Sequence, residues 1–186
     1  MRFRPIAALV LLSVASEAAS AVNLPRPAGD FAINVAPGQQ FHLSRYKGKT
    51  VVLAFILTYC SHCQKVVGVL TKAQNDFGAR GLQVLASAVE DKAALALPEF
   101  LRKFYPPFPV GYNPSSEFLA YMQHPPMLVP YMPAVMFIDK EGVIRTQYEG
   151  RDAFLEESAV EKNIRARIEE MLGPPAQKGV AKKKGK

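Results

Sequence analysis

The feature that most restricts the fold of this chain is the run TVVLAFILT over Thr50–Thr58. The run is apolar between its terminal threonines and rich in β-branched residues, which favour strands. Because apolar and polar residues do not alternate in it, both faces of this strand should be buried. Strands of this kind lie inside a sheet that helices cover on both faces, so the run predicts an α/β fold.

Patterns in the rest of the chain predict a mixed central sheet, flanked by helices, with an N-terminal β-hairpin. Residues 31–35 and 40–43 flank the turn Pro37-Gly38 and form the predicted hairpin, after a Pro-rich lead-in over 24–29. Helices are predicted over 64–77, 93–104, 115–122 and 152–172, and strands over 82–89, 108–112, 134–138 and 143–148. The early alternation of strands and helices implies parallel strands, to which the late hairpin adds an antiparallel edge.

The first 21 residues have the pattern of a signal peptide. Two arginines within the first four residues precede the apolar stretch Ile6–Val14, and the small residues over 19–21 predict cleavage after Ala21. The stretch is shorter than the roughly 20 residues that a membrane span needs, although an uncleaved anchor or a buried helix is an alternative. We therefore expect an exported, periplasmic protein with one mature domain over residues 22–172.

The net charge of +7 arises mainly at the C-terminus. Residues 173–186 contain five lysines and no acidic residue, and the mature domain before them is nearly neutral. This distribution excludes a nucleic-acid-binding domain. A Lys-rich tail of this composition is expected to be disordered and to aid solubility, and weak contact with anionic lipid or an acidic partner is the alternative.

Two cysteines, Cys60 and Cys63, follow the apolar strand and are the only ones in the chain. A structural disulfide between them would add only about 2 kcal/mol of stability, because the ring that it closes is so short. A zinc site would need further ligands, and His42, His62 and His124 lack the paired spacing of a zinc finger. Copper with methionine ligands is a further alternative.

Redox catalysis is the interpretation that the position of the pair favours. Cys60 lies where a buried strand meets a helix, near free main-chain N–H groups and the positive end of the helix dipole, which both stabilise a thiolate. Cys63 lies one turn into the helix, where it should be more buried and able to resolve a mixed disulfide. A C-x-x-C motif at a strand–helix junction therefore predicts thiol–disulfide exchange, which needs no cofactor.

With these motifs the chain resembles the thioredoxin superfamily, and within it the exported TlpA/ResA-like branch related to the AhpC/TSA proteins. The resemblance covers residues 28–172 and rests on the hairpin, the strand, the C-x-x-C motif and the segment YMPAVMFID over Tyr131–Asp139. It implies a thioredoxin-like three-layer fold in which a cis-Pro133 packs against the cysteine pair and the main chain of Met132 pairs with a substrate peptide. It also implies protein clients and a membrane or periplasmic redox partner, and we expect a monomer.

Three residues depart from the pattern of that family. Tyr59 stands where a Trp usually precedes the first cysteine, Ala54 replaces the buried Asp of thioredoxins, and Val66 replaces a Glu that is common in the branch. Because those acids help to deprotonate the buried cysteine, Glu90 or Asp91 after the second long strand, or water, would have to take over. Tyr59 and Glu90 are therefore predicted to modulate the cysteine pair.

His62, between the cysteines, favours an oxidising role. Near Cys60 its imidazole would stabilise the thiolate and so the reduced form, as in strongly oxidising members of the superfamily. The branch as a whole instead favours a reductant that is supplied by a membrane reductase and acts on cytochrome c maturation or another client. The sequence leaves the direction of electron flow open.

Three other functions are alternatives. A thiol peroxidase of the peroxiredoxin type would need a Thr three residues before Cys60, where this chain has Leu57, and a Pro further upstream. A copper-binding metallochaperone of the Sco type would need three residues between the cysteines, where this chain has two. A redox-silent adaptor would not need the pair at all.

Overall fold

The computed structural model describes residues 22–174. The predicted signal peptide over 1–21 and all but the first two residues of the predicted Lys-rich tail lie outside the described residues. Within the described range, no helix has the length and apolar character needed to cross a membrane.

Eight strands form one sheet in the order β1-β8-β7-β4-β5-β6-β2-β3. The strands are β1 (Arg26–Pro27), β2 (Ala32–Ala36), β3 (Gln39–His42), β4 (Thr50–Ile56), β5 (Leu82–Ala88), β6 (Val110–Tyr112), β7 (Ala134–Ile138) and β8 (Val143–Glu149). The helices are α1 (Ser61–Phe77), α2 (Ala93–Phe104), α3 (Ser115–Met122) and α4 (Val160–Leu172). β4, β5 and β6 are parallel, whereas β7 is antiparallel to both β4 and β8, so the predicted mixed α/β sheet is confirmed.

Strand β4 lies in the middle of the sheet, and every one of its residues is buried. Val52, Ala54 and Ile56 belong to an apolar cluster with residues of α1, α2 and α4 on one face of the sheet. The alternate residues, which include Leu53 and Phe55, join a second cluster with the β2–β3 hairpin and α3 on the other face. The continuous apolar run therefore exists because this strand supplies two cores at once.

The N-terminal hairpin joins the far edge of the sheet through β6, where Asn34 pairs with Tyr112. Asn113, which is 2% exposed, fixes this junction. Its side-chain oxygen accepts a hydrogen bond from the Ser87 hydroxyl at 2.8 Å, and its amide nitrogen donates to the Ala32 carbonyl at 2.8 Å. The buried polar side chain thus ties β2 and β5 together with its hydrogen-bonding groups satisfied.

The structure corrects two predictions about the edge strands. The Pro-rich lead-in contains β1, in which Arg26 pairs with Ile144 and Pro27 with Val143. The late hairpin of β7 and β8 consequently lies inside the sheet, between β4 and β1, and does not form its edge. A strand of two residues has no periodicity of its own, so only the long-range pairing reveals it.

The predicted final helix over 152–172 is wrong in its first eight residues. Ala153–Leu155 form a separate 3-10 turn, and α4 begins only at Val160. Leu155 and Val160 are both buried, yet they lie five positions apart in the sequence. On one continuous helix their side chains would point in directions about 140° apart, so both could not face the same core.

Candidate active site

Cys60 occupies the N-cap position of α1, with an extended backbone and a half-buried side chain. Its sulfur accepts a hydrogen bond from the main-chain N–H of Cys63 at 3.3 Å. β4 ends at Ile56, so only three residues link the buried strand to this helix start. This short link places the Cys60 thiol at the N-terminal end of a 17-residue helix, where the positive end of the helix dipole favours a thiolate.

Cys63 lies in the first turn of α1 and is fully buried. Burial raises the pKa of its thiol, and the neighbouring Cys60 sulfur and the Glu90 carboxylate raise it further. The Leu57 N–H donates a hydrogen bond to the Cys63 sulfur at 3.4 Å. This bond lowers the pKa of the thiol, but by less than burial raises it. The pair therefore combines an accessible thiol with a buried one that keeps its proton until a base removes it.

Glu90 follows β5 and reaches the end of β4. Its Oε1 atom accepts hydrogen bonds from both the main-chain N–H of Thr58, at 3.1 Å, and the Thr58 hydroxyl. Its Oε2 atom is buried and has no hydrogen-bond partner within residues 22–174. Asp91, the other acid that the sequence suggested, is exposed. Of the two, Glu90 is the carboxylate whose charge acts on Cys63.

Thr58 is a site residue that the sequence analysis did not single out. It is 9% exposed, and its carbonyl also accepts a hydrogen bond from the Gln64 side chain at 2.8 Å. The available signal was its position as a polar residue at the carboxyl end of a central parallel strand, where the functional groups of α/β folds converge. Thr58 thus connects Glu90 to the first turns of α1.

His62 contacts the segment that follows β8. Its Nε2 atom lies 2.7 Å from the main-chain oxygen of Leu155. Because a carbonyl oxygen can only accept, the Nε2 atom donates this hydrogen bond. The predicted influence of His62 on Cys60 stays a prediction, but the ring is held by a specific partner.

The Met132–Pro133 peptide bond is cis, as the resemblance implies. Pro133 is buried and directly precedes β7, whose residue Ala134 pairs with Phe55 of β4. This register places Pro133 beside the carboxyl end of β4, from which the chain continues to Cys60. Met132 is half-buried and packs on the same apolar cluster as Cys60.

Exposed side chains occur in the chain segments that adjoin Cys60 and the cis-proline. Tyr59, next to the first cysteine, is 72% exposed and lines a cavity of about 250 Å³ with Phe100 and Lys103 of α2. Met127, in the loop before the cis-proline, is 92% exposed. The sequence analysis predicted Tyr59 as a modulating residue, and the structure places it on the surface beside Cys60.

Each of the other two histidines contacts a carboxylate. His42 contacts Asp30 at 2.8 Å, and the buried side chain of His124 contacts Glu149 at 2.9 Å. Across residues 22–174, no group of three or more His, Cys, Asp or Glu side chains is arranged to hold a metal ion.

Comparison with known sequences gives one consistent result. A model described as the AhpC/TSA family matches residues 24–147. The thiol-disulfide oxidoreductase ResA of Geobacillus kaustophilus is 28% identical over 127 residues, which cover 68% of this chain and 69% of that protein. The protein of the same name from Bacillus subtilis is 27% identical over 118 residues, which cover 63% and 62% of the two chains.

Solved structures give a similar picture. A candidate DsbE thiol:disulfide interchange protein of Chlorobium tepidum superposes with a TM-score of 0.64 at 26% identity, over 82% of this chain and all of that one. A thiol:disulfide interchange protein from a Bacteroides species superposes with a TM-score of 0.63 at 18% identity, over 84% and 94% of the two chains. The second similarity is one of fold alone.

Proposed function

The chain belongs to the AhpC/TSA family and is a thiol–disulfide oxidoreductase with a thioredoxin-like fold, and on this premise we propose that Cys60 and Cys63 are its redox-active pair. The proposal rests on the difference in burial between the two thiols. Cys60 is half-buried at the start of α1, whereas Cys63 is fully buried in its first turn with a raised pKa. An attacking sulfur and a resolving sulfur need these two environments.

The first step of the exchange forms a mixed disulfide. The Cys60 thiolate attacks one sulfur of a client disulfide, so that a Cys60–client bond forms while the client S–S bond breaks. The second client sulfur leaves as a thiolate and takes up a proton from solvent. The Cys63 N–H, 3.3 Å from the Cys60 sulfur, stabilises the attacking thiolate in this step.

The second step releases the client. The Cys63 thiol gives its proton to the Glu90 carboxylate, directly or through water, and the resulting thiolate attacks the Cys60 sulfur. A Cys60–Cys63 disulfide forms and the Cys60–client bond breaks. The released client thiolate takes up a proton from Glu90 or solvent, and the client leaves as a dithiol. Two electrons have then passed from the protein to the client, and the reverse sequence oxidises a client dithiol.

The client segment is proposed to bind beside the cis-proline. Met132 would offer its main chain to an extended client peptide, and Pro133 would hold that main chain next to the cysteine pair. Support comes from the position of Pro133 at the start of β7, one residue before the Ala134–Phe55 pair that borders the site. The cavity beside Tyr59 lies next to Cys60 and would receive a client side chain.

The protein is proposed to act after export. Residues 1–21 would be removed as a signal peptide, and residues 22–172 would work in the periplasm or an equivalent compartment, where disulfide-bonded clients persist. A membrane or periplasmic redox partner would restore the pair after each turnover. We propose a monomer, with the Lys-rich tail free to contact anionic lipid weakly.

Trapping with active-site variants tests the proposed pair. In the Cys63→Ser variant, Cys60 should attack a disulfide-bonded peptide and remain joined to it, giving an adduct of the combined mass that dithiothreitol dissolves. The Cys60→Ser variant is the matched control and should form no adduct, because its remaining thiol is buried. Equal adduct formation by both variants would contradict the assignment of Cys60 as the attacking thiol.

A further inference from the structure

The segment Ala153–Glu157, between β8 and α4, touches the redox motif through one main-chain atom. Leu155 is fully buried at the end of the 3-10 turn. Its carbonyl oxygen lies 2.7 Å from Nε2 of His62, 93 residues earlier in the chain. This is a direct hydrogen bond between the C-x-x-C motif and a distant element.

The interruption before α4 is what makes the Leu155 carbonyl available. In a continuous α-helix this oxygen would accept the N–H of Ala159, four residues later. Instead the N–H groups of Ala159 and Val160 both donate to the Glu156 carbonyl, at 2.9 and 2.8 Å. The helix restarts one residue too late to use the Leu155 carbonyl, which is left for the imidazole.

Neighbouring contacts hold the turn in place. The Asn163 side chain, from the first turn of α4, donates to the Phe154 carbonyl at 3.0 Å. The Phe154 ring stacks on Tyr148 of β8, with centroids 3.8 Å apart and planes 2° from parallel. The acceptor for His62 is thus supported by both elements that flank the segment.

We propose that Ala153–Glu157 is a positioning segment for the redox motif, which fixes the His62 ring and keeps a proton on Nε2. A ring with one orientation keeps a constant position relative to the Cys60 thiolate, so the segment sets how strongly His62 stabilises the reduced form. The proposal rests on the function of the cysteine pair proposed above.

The His62 ring interacts electrostatically with the Glu157 carboxylate. Glu157 belongs to the positioning segment, and its pKa lies below the usual range mainly because Lys65 of α1 donates to it and carries a positive charge, with a smaller effect from His62. Both Glu157 and Lys65 are exposed, so solvent screens them. A separate ion pair, between Lys72 of α1 and Glu161 of α4 at 2.9 Å, is the contact for a control.

The tautomer of His62 tests the proposal without reference to catalysis. Long-range ¹H–¹⁵N correlation spectra of the reduced protein, with His62 assigned by comparison with His62→Ala, should show a neutral ring protonated on Nε2. A ring protonated on Nδ1, or rapid exchange between both forms, would overturn the proposal. This readout stays valid even if the cysteines prove to be inactive.

A double-mutant cycle tests the functional consequence. The equilibrium between the dithiol and disulfide forms is measured in glutathione buffers for the wild type, His62→Ala, Asn163→Ala and the double variant. We expect His62→Ala to shift this equilibrium toward the disulfide by about tenfold, and Asn163→Ala to shift it by about threefold in the same direction. In the His62→Ala background, Asn163→Ala should have no further effect.

Glu161→Gln is the control variant, because it removes a contact of the same first turn of α4 without touching the Ala153–Glu157 segment. It should leave the equilibrium unchanged. Additive shifts of His62→Ala and Asn163→Ala would overturn the positioning role, since the two residues would then act independently. A wild-type protein that forms no Cys60–Cys63 disulfide in any of these buffers would instead refute the proposed function.

Discussion

Glu90 joins the carboxyl ends of two neighbouring parallel strands by accepting a hydrogen bond from the Thr58 N–H at 3.1 Å. The bond uses one carboxylate oxygen, and the other is buried without a partner within the part of the chain that the structure describes. The role that we propose for this carboxylate in disulfide exchange is to take the proton of Cys63.

Replacement of Glu90 tests that role. Glu90→Gln keeps an oxygen that can accept from Thr58 but removes the base, so release of the client from the mixed disulfide should slow by about tenfold or more. Stopped-flow measurement of a single turnover with a fluorescent disulfide peptide would detect this change. Asp91→Asn, at the exposed neighbouring position, is the control and should react as the wild type does. An unchanged release rate in Glu90→Gln would assign the proton to water.

The raised pKa of Cys63 predicts a specific pH dependence of stability in the reduced protein. The folded state keeps this proton at pH values where an unfolded cysteine, with a pKa near 8.5, has lost it. The free energy of unfolding should therefore be unaffected below about pH 8 and fall above about pH 8.5, by at most about 1.4 kcal/mol per pH unit.

Urea unfolding of the dithiol form between pH 7 and 9.5 would measure this slope. The Cys63→Ala variant is the control and should lose the decline, although its overall stability is lower. Tyr121, whose buried phenol also has a raised pKa, contributes only above this range because an unfolded tyrosine ionises near pH 10. A wild-type curve that stays flat across the range would show that Cys63 is not shielded from solvent.

Local patterns were sufficient for much of the fold. The helices Ala93–Phe104 and Ser115–Met122 have the predicted bounds, because proline residues lie just beyond the first and just before the second. Strand β4 ends two residues before the predicted Thr58, and both of its faces are buried as its unbroken apolar pattern requires. Each of these elements is specified by residues close together in the sequence.

Contacts between distant residues account for what the sequence did not reveal. The pairing of Arg26 with Ile144 makes a strand of a Pro-rich segment, and the burial of Leu155 interrupts an apparently continuous helix. The cysteine pair and Glu90 were identifiable as residues, but the hydrogen bond that selects Glu90 over Asp91 joins positions 32 residues apart. The local periodicity of the sequence contains no information about such contacts.

Gly150 allows the chain after β8 to pass close to the cis-proline loop. A side chain at this position would collide with the carbonyl oxygen of Met132, and the Gly150 N–H donates to the Tyr131 carbonyl at 2.7 Å. Gly150→Ala should therefore displace the Met132 main chain and lower kcat/KM for a disulfide peptide by about tenfold, as small misplacements near reacting groups do.

Gly68→Ala is the matched control for that variant. Gly68 lies on the exposed side of α1 with no atom within 4 Å of an added Cβ, so alanine should raise the free energy of unfolding by about 0.5–1 kcal/mol. Its kcat/KM should equal that of the wild type. Full activity in Gly150→Ala would show that the position of Met132 is not critical for the exchange.

The buried Asn113 should be the main polar contributor to attachment of the hairpin. Asn113→Ala removes the partner of the buried Ser87 hydroxyl and of the Ala32 carbonyl, and we expect a loss of about 1–3 kcal/mol in the free energy of unfolding. Gln40→Ala, at an exposed hairpin residue that donates to Asn34, should change it by less than about 0.5 kcal/mol. Equal losses in both variants would contradict this difference.

Alkylation of the reduced protein tests most directly whether Cys60 is the attacking thiol and Cys63 the resolving thiol. Iodoacetamide is added at pH 7.5, and the modified position is identified by mass spectrometry over time. We predict that Cys60 is modified first, faster than free cysteine and about a hundredfold faster than Cys63, because it alone is both accessible and favoured as a thiolate. Equal rates at both positions, or modification of Cys60 no faster than that of free cysteine, would contradict the account.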